Sequence, residues 1–409
     1  MNASFSQQVD DQKARWLSDT SLDAAWDARR LVDQLSKAGH HDDAIIHGDA
    51  ALMHWADFAP LASAMAWALY RRDLQEVSEE SNLVQRRRAK QALDRIELLS
   101  SSDPYGTFSP WTKSVLKLAS AMVKRWPKVT VELISKLDKA QLSGEAEGDF
   151  GAERERWYLQ FTKALQGAGM WGELLEACDA ATEDGCIEGK NERWIRLRKA
   201  EALWHLGQGA AAEPILRREA ARHGEWWLHA RLARLLTELD QTADALHSAY
   251  RALRSGGAAP LGWETLALVG ALLEDTNPLL AAEHIRLAVT FRKAKGWKAN
   301  KELEARAERL GATAIDGSAA TSELIRRLMP TWQEADEAER ETGVVMKHLN
   351  EGAGFIAPDV GGGSLFFSRS KDSTTPLPSV GQRVSYIRRK SFDAKKARDS
   401  ERAADWRIQ

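Results

Sequence analysis

Residues that could hold a metal, attack a substrate or cradle a phosphate are few in this chain, and their spacing builds no reactive site. The run His40 to Asp43 offers metal-ligand types, but it falls at a turn between two predicted helices, where an aspartate caps the next helix. His223 and His229 have no third ligand at suitable spacing. Gly361 to Ser364 lacks the lysine of a phosphate loop and is predicted to be a hairpin turn. Because GxSxG, HExxH and paired CxxC motifs are also missing, we predict no enzyme activity, metal or cofactor.

Positive charge is concentrated at the C-terminal end. The 57 basic and 59 acidic residues leave a net charge of -2, which argues against a protein that binds polyanions through bulk charge. Residues 343–409, however, hold 12 Lys or Arg against 7 Asp or Glu. There, Arg388 to Lys390 and Lys395 to Arg398 are predicted to form one flexible basic loop that follows phosphates, with an ordinary solvated loop as the alternative. A second basic run, Arg86 to Lys90, is predicted to be an exposed helix face, with contact to RNA as the alternative.

Helical patterning accounts for most of the chain. Up to about residue 311, apolar residues recur every three or four positions in a Pro-poor sequence, which predicts amphipathic helices. A period is also present, because Trp194 and Trp227, like Ala212 and Ala245, are 33 residues apart. The next unit repeats the pattern at an offset of 36 residues. An offset that several positions share predicts a helical repeat array.

These positions resemble those of the tetratricopeptide repeat (TPR), with a large residue early in the first helix and alanine where the second helix crosses closest. A larger side chain at such a crossing would push the two helices apart. The resemblance covers about residues 20–310, is loose between Pro60 and Glu155, and implies antiparallel helix pairs whose surface holds a protein partner. The residues expected to contact that partner are Trp194, Trp204, Trp227 and Arg234.

The composition changes after residue 311. Ala312 to Ser322 is small and polar and is predicted to be a linker, and a charged helix interrupted at Pro330 is predicted from Thr321 to about Glu341. From Gly343 onward, β-branched and aromatic runs alternate with turn residues. Five short strands in 67 residues predict a small barrel.

Four motifs follow one another in this last segment: Gly343 to Val345, Glu351 to Asp359, Leu365 to Ser370 and Val380 to Tyr386. In order and spacing they resemble the cold-shock domain, a five-stranded OB-type barrel that binds single-stranded RNA or DNA. In that family, outward aromatic rings stack on unpaired bases while basic residues follow the phosphates. The residues expected to bind nucleic acid are Lys347, His348, Phe355, Phe366, Ser368, Arg369, Arg388, Arg389 and Lys390.

The stacking surface that the resemblance implies is only half present. Ala353 stands at the first ring position, and Arg369 replaces a phenylalanine. Phe355 and Phe366 are therefore the rings retained, and strand alternation predicts that both point outward while Phe367 points into the barrel. Basic groups are expected to supply what the missing rings do not.

The predicted architecture is mainly α in three parts. A TPR-like α-solenoid domain is expected over residues 1–311, a linker and connecting helix over 312–342, and a cold-shock-like OB barrel over 343–409. Residues 1–342 hold 45 basic against 52 acidic residues, so opposite charge predicts weak docking of the barrel on an acidic helical surface.

The predicted function is that of a non-enzymatic adaptor. Its barrel would bind single-stranded RNA or DNA, with RNA as the expected ligand, and its helices would bind a protein. The alternative is a protein-only scaffold, or a regulatory subunit of a stress or defence complex, whose barrel has lost nucleic-acid binding. The two cysteines, the polar N-terminal sequence and the lack of a spanning apolar stretch predict a cytoplasmic protein with no membrane partner.

Overall fold

A computed structural model describes residues 11, 14, 19, 21–105, 109–144, 152–187, 189–257, 259, 262–337, 340–360, 363–369, 376–393 and 398–408. The side chains at 334–337, 340, 389–393, 398–400 and 405 lie outside this description. The chain divides into two compact units, Met1–Ala202 and Leu203–Gln409, so the second unit holds several helices together with the barrel. No described helix combines the length and apolar character needed to cross a membrane.

Helices form the described part of the first unit. They are α1 (Leu22–Lys37), α2 (His41–Leu52), α3 (Ala59–Leu69), α4 (Leu83–Leu99), α5 (Pro110–Met122), α6 (Pro127–Ile134), α7 (Glu153–Ala168) and α8 (Trp171–Glu183), with α9 (Lys190–His205) running past the unit boundary. Side-chain oxygens of Ser21, Asn82 and Ser109 accept hydrogen bonds from first-turn backbone N–H groups, which explains where α1, α4 and α5 begin. The helices enclose an apolar core.

The second unit begins with helices that follow the predicted repeat. They are α10 (Gly209–His223), α11 (Trp226–Glu238), α12 (Thr242–Ala252), α13 (Trp263–Leu273), α14 (Pro278–Ala294), α15 (Lys301–Arg309) and α16 (Ser318–Glu337). α11 packs against α12, and α13 packs against α14. Ala212, Ala245 and Ala281 are each 0% exposed, so the small residues lie in helix contacts as the spacing predicted.

Enlarging one of these alanines should destabilise the second unit. We expect Ala245→Leu to lower the free energy of unfolding by about 1 to 3 kcal/mol, because a well-packed helix contact must shift to admit three more carbons. Ala243→Leu is the matched control, since Ala243 lies on the exposed side of the same helix. Chemical denaturation followed by circular dichroism measures both, and equal midpoints for the two variants would show that the repeat register is wrong.

The predicted linker and interrupted helix are packed differently from the expectation. Ala312 is 1% exposed, and α16 continues through Pro330 without a break. Leu324, Leu328 and Trp332 recur every four residues and are all buried in the core of the second unit. One missing N–H at Pro330 costs less than this apolar stripe gains by burial, so the helix persists. Ala312 and the apolar face of α16 are therefore part of the core of the second unit.

The C-terminal strands close into a barrel. They are β1 (Arg340–Asn350), β2 (Ala353–Pro358), β3 (Leu365–Ser368), β4 (Arg383–Asp393) and β5 (Arg398–Ile408). The strand order is β1-β2-β3-β5-β4, with β4 returning to β1. The β3–β5 pair is parallel and the others are antiparallel. A helical region followed by a small five-stranded barrel is the fold class that the sequence predicted, and the barrel is consistent with an OB-type fold.

Alternate residues of each strand fill the barrel. Val345, Ile356, Phe367, Val384 and Tyr386 are each at most 1% exposed and form its core. Outside the barrel, β4 contacts α10. Because α16 ends at Glu337 and β1 begins at Arg340, the buried face of α16 also fixes where the barrel starts.

Candidate nucleic-acid interface

A row of outward side chains crosses three neighbouring strands of the barrel. In the strand register, Lys347 of β1 is opposite Phe355 of β2, which is opposite Phe366 of β3. The two rings meet edge to face with centroids 6.0 Å apart, and the Lys347 Nζ lies 5.5 Å from the Phe355 ring centroid. Both rings are partly exposed, whereas Phe367, the residue of β3 that follows Phe366, is 0% exposed. The alternation predicted from the sequence is therefore present.

A glycine allows the strands to come close enough to build this row. An added Cβ at Gly354 would lie 2.5 Å from the Lys347 carbonyl oxygen and 2.7 Å from Cε1 of Phe367. Both distances are shorter than real Cβ contacts, so only glycine fits between β1 and the buried ring. Gly354 thus sets the spacing of Lys347 and Phe355 on the opposite, outward face.

Basic and polar groups flank the rings at the end of β3. Ser368 and Arg369 are both exposed, and the Arg369 backbone N–H donates to the Gly352 carbonyl at 2.7 Å. Within the described ranges, the Arg369 guanidinium has no ion-pair partner. The sequence predicts that this guanidinium contacts a phosphate or a stacked base.

His348 does not join the row. It is opposite Gly354 in the register, one residue beyond Lys347, and its ring packs against the buried Phe367 with centroids 6.4 Å apart. Its Nε2 lies 2.8 Å from the Pro378 carbonyl oxygen and therefore donates a hydrogen bond to it. The structure places His348 in support of the Pro378 segment, away from the aromatic rings.

Arg388 is held by acidic side chains of the two neighbouring strands. It binds both carboxylate oxygens of Glu341, at 2.7 and 2.6 Å, and Glu401 at 2.9 Å. These hydrogen bonds raise the pKa of the guanidinium, and the same contacts lower the pKa of Glu341. A cation already held by two carboxylates has little net charge left for phosphate.

The predicted basic loop is in part a strand. Arg388, Arg389 and Lys390 belong to β4 and are opposite Ala403, Arg402 and Glu401 of β5. These residues belong to the strand because β4 and β5 continue their antiparallel pairing well beyond the barrel core. The side chains of Arg389 and Lys390 are outside the described residues, as are Lys395 and Lys396.

The helical candidates for a protein partner have intramolecular contacts. In the second unit, Trp204 Nε1 donates to Glu238 at 2.6 Å, and Arg234 forms an ion pair with Glu264. Trp227 lies under the guanidinium of Arg231, 5.6 Å from its ring centroid. Trp194, in the first unit, is 42% exposed. All four keep some exposed surface, and the polar groups of Trp204 and Arg234 already have partners within the chain.

Other residues singled out from the sequence are structural. Arg86 is 6% exposed and stacks 4.6 Å from the Trp126 ring centroid, so the exposed helix face predicted there is wrong at this position. Asp42 pairs with Arg72 at 2.9 Å. Burial raises the pKa of the Cys178 thiol to about 12, as suits a packed core residue. No group of three potential metal ligands converges within the described part of the chain.

One residue of the row escaped sequence reasoning. Arg402 is opposite Phe366 through the parallel β3–β5 pairing, so it extends the line of Lys347, Phe355 and Phe366 onto a fourth strand. Its neighbour in the sheet, Phe366, lies 36 residues earlier in the chain. Local periodicity carries no information on such a pairing.

Comparison with known proteins leaves the site to be interpreted from its own geometry. No protein-family model matches the chain, and no curated protein is similar to it.

Proposed function

We propose that this protein is a non-enzymatic adaptor that binds single-stranded RNA or DNA, with RNA as the expected ligand, on the outward row of its barrel. The observation that supports it is the placement of Lys347, Phe355 and Phe366 side by side on three strands. Two flat, partly exposed rings beside a cation match what unpaired bases and their phosphates require. The rings are few, so binding is weak and has little sequence preference.

The helices give the adaptor its second function. Partly exposed tryptophans on α9 and α11 offer large, rigid apolar surface beside charged groups, a composition typical of protein-binding sites. In this proposal the helices hold a protein partner while the barrel holds the nucleic acid.

The stacking contribution of the Phe366 ring can be measured apart from the space that the side chain fills. We expect Phe366→Leu to weaken binding of a single-stranded oligonucleotide by about 1 to 3 kcal/mol, because leucine fills space but offers no flat face to a base. Phe366→Tyr should retain the affinity. Val380→Ala serves as the control, since Val380 is an exposed apolar residue of the same barrel outside the row. Fluorescence anisotropy with the full chain measures all three.

A protein-only scaffold is the second candidate. It is favoured by the neutralised Arg388 and by Ala353, which leaves the first ring position empty of an aromatic side chain. Wild-type protein that fails to bind single-stranded RNA or DNA at 50 mM salt would support the scaffold and contradict the proposal above.

A further inference from the structure

A cleft of about 390 Å³ lies where the helices of the second unit meet the barrel. Its helical wall is formed by the end of α10, by α11 and by the end of α12 with the turn that follows it, and its other wall by β4 and β5. Small residues such as Ala220 and Ala404 leave the space open. The polar groups that line it are mainly cationic or imidazole side chains: His223, His229, Arg251, Arg254 and Arg402.

The charge of the cleft is the reverse of what overall composition predicted. The helical region is net acidic, yet no acidic side chain lines this space within the described part of the chain. The buried carboxylate of Glu219 lies 3.4 Å from His223, one of the residues that line the cleft. The barrel therefore meets a surface rich in cationic side chains here, and such a surface attracts an anion.

Arg402 connects the cleft to the aromatic row. It lines the cleft and is also opposite Phe366 across the β3–β5 pair. Adjacent strands are about 4.8 Å apart, so a base stacked on Phe366 has its own backbone near Arg402. In addition, Arg402 Nε is buried and has no hydrogen-bond partner among the described residues. A buried donor of this kind calls for an acceptor such as a phosphate oxygen.

We propose that this cleft binds backbone phosphates of the same single strand whose bases stack on Phe355 and Phe366. This inference rests on the proposed nucleic-acid function and adds a second set of contacts to it. The strand crosses the barrel from Lys347 to Arg402 and then enters the cleft, where Arg251 and Arg254 of the helices meet its phosphates. Nucleic acid thus joins the helices to the barrel. The docking expected from overall charge would instead have made the nucleic acid and the helices compete for the barrel.

The test measures how the affinity of the full-length protein depends on salt for a short and for a long oligonucleotide. A short oligonucleotide of about three nucleotides covers the rings alone, and one of about ten also reaches the cleft. For the long one, Arg251→Gln and Arg402→Gln should each flatten the plot of log affinity against log salt by about 0.7, the value for one phosphate contact on a single strand. For the short one, Arg251→Gln should have no effect.

Arg326→Gln is the matched control, because it removes the same charge from α16 at a residue that is exposed and lies outside the cleft. If the cleft variants show the same salt dependence as Arg326→Gln while Phe366→Leu still weakens binding, the cleft proposal is overturned and the proposed function stands. Wild-type protein that binds neither oligonucleotide would instead overturn the proposed function. Thermal denaturation of each variant verifies that the fold is retained.

Discussion

Replacing Trp332 by alanine should lower the free energy of unfolding of the second unit by about 3 to 5 kcal/mol. Trp332 is 0% exposed and is among the largest fully buried side chains of the chain. It packs with Leu324 and Leu328 of α16, and its Nε1 donates a hydrogen bond to His284 Nε2 at 2.9 Å. Alanine leaves both a large cavity and an imidazole nitrogen without its donor, and the two losses add.

Trp297→Ala is the control, because the Trp297 side chain is 37% exposed and its loss leaves no closed cavity. We expect the control to cost far less than Trp332→Ala in urea denaturation followed by circular dichroism. Similar losses for the two variants would mean that α16 is not held in the core. Since β1 starts directly after α16, Trp332→Ala should also weaken oligonucleotide binding wherever the cleft contributes.

Acid should destabilise the second unit through His284. This residue is 0% exposed, and burial lowers its pKa to about 4. Its Nδ1 lies 2.8 Å from the Leu280 carbonyl oxygen and must donate, so Nε2 is the lone-pair nitrogen that accepts from Trp332. Protonation of Nε2 would set two donors against each other inside an apolar core.

The direction of the pH dependence follows from this neutral state. The folded pKa lies below the ordinary value of 6.5, so the unfolded chain takes up the proton first. The contribution of neutral His284 to the free energy of unfolding is complete above pH 6.5. It declines as the pH falls toward 4, with a limiting slope of about 1.4 kcal/mol per pH unit.

His284→Gln provides the comparison, since an uncharged amide can donate to Leu280 and accept from Trp332 without titrating. Urea denaturation at pH 7 and pH 5 should show a larger loss of stability for the wild type than for the variant. Parallel losses between those two pH values would show that His284 is not the group responsible.

Local sequence patterns predicted the type of most elements and the side to which many side chains point. The spacing of Ala212 and Ala245 placed both in helix contacts, because a helix returns to the same face every three or four residues. Alternation along β2 and β3 separated the outward Phe355 and Phe366 from the inward Phe367, because successive strand residues face opposite sides. The order of helices followed by five strands was also predicted, since each motif lies within a few consecutive residues.

Pairing between distant strands, in contrast, was decided by the tertiary structure. Closure of the barrel set β5 beside β3 and brought Arg402 next to Phe366. It also gave Arg388 two carboxylate partners, which occupy its guanidinium. The burial of Trp332 against His284 joins residues 48 positions apart and makes the predicted connecting helix part of the core. Such contacts depend on which surfaces meet when the chain closes, and periodicity within one element reports only which face is apolar.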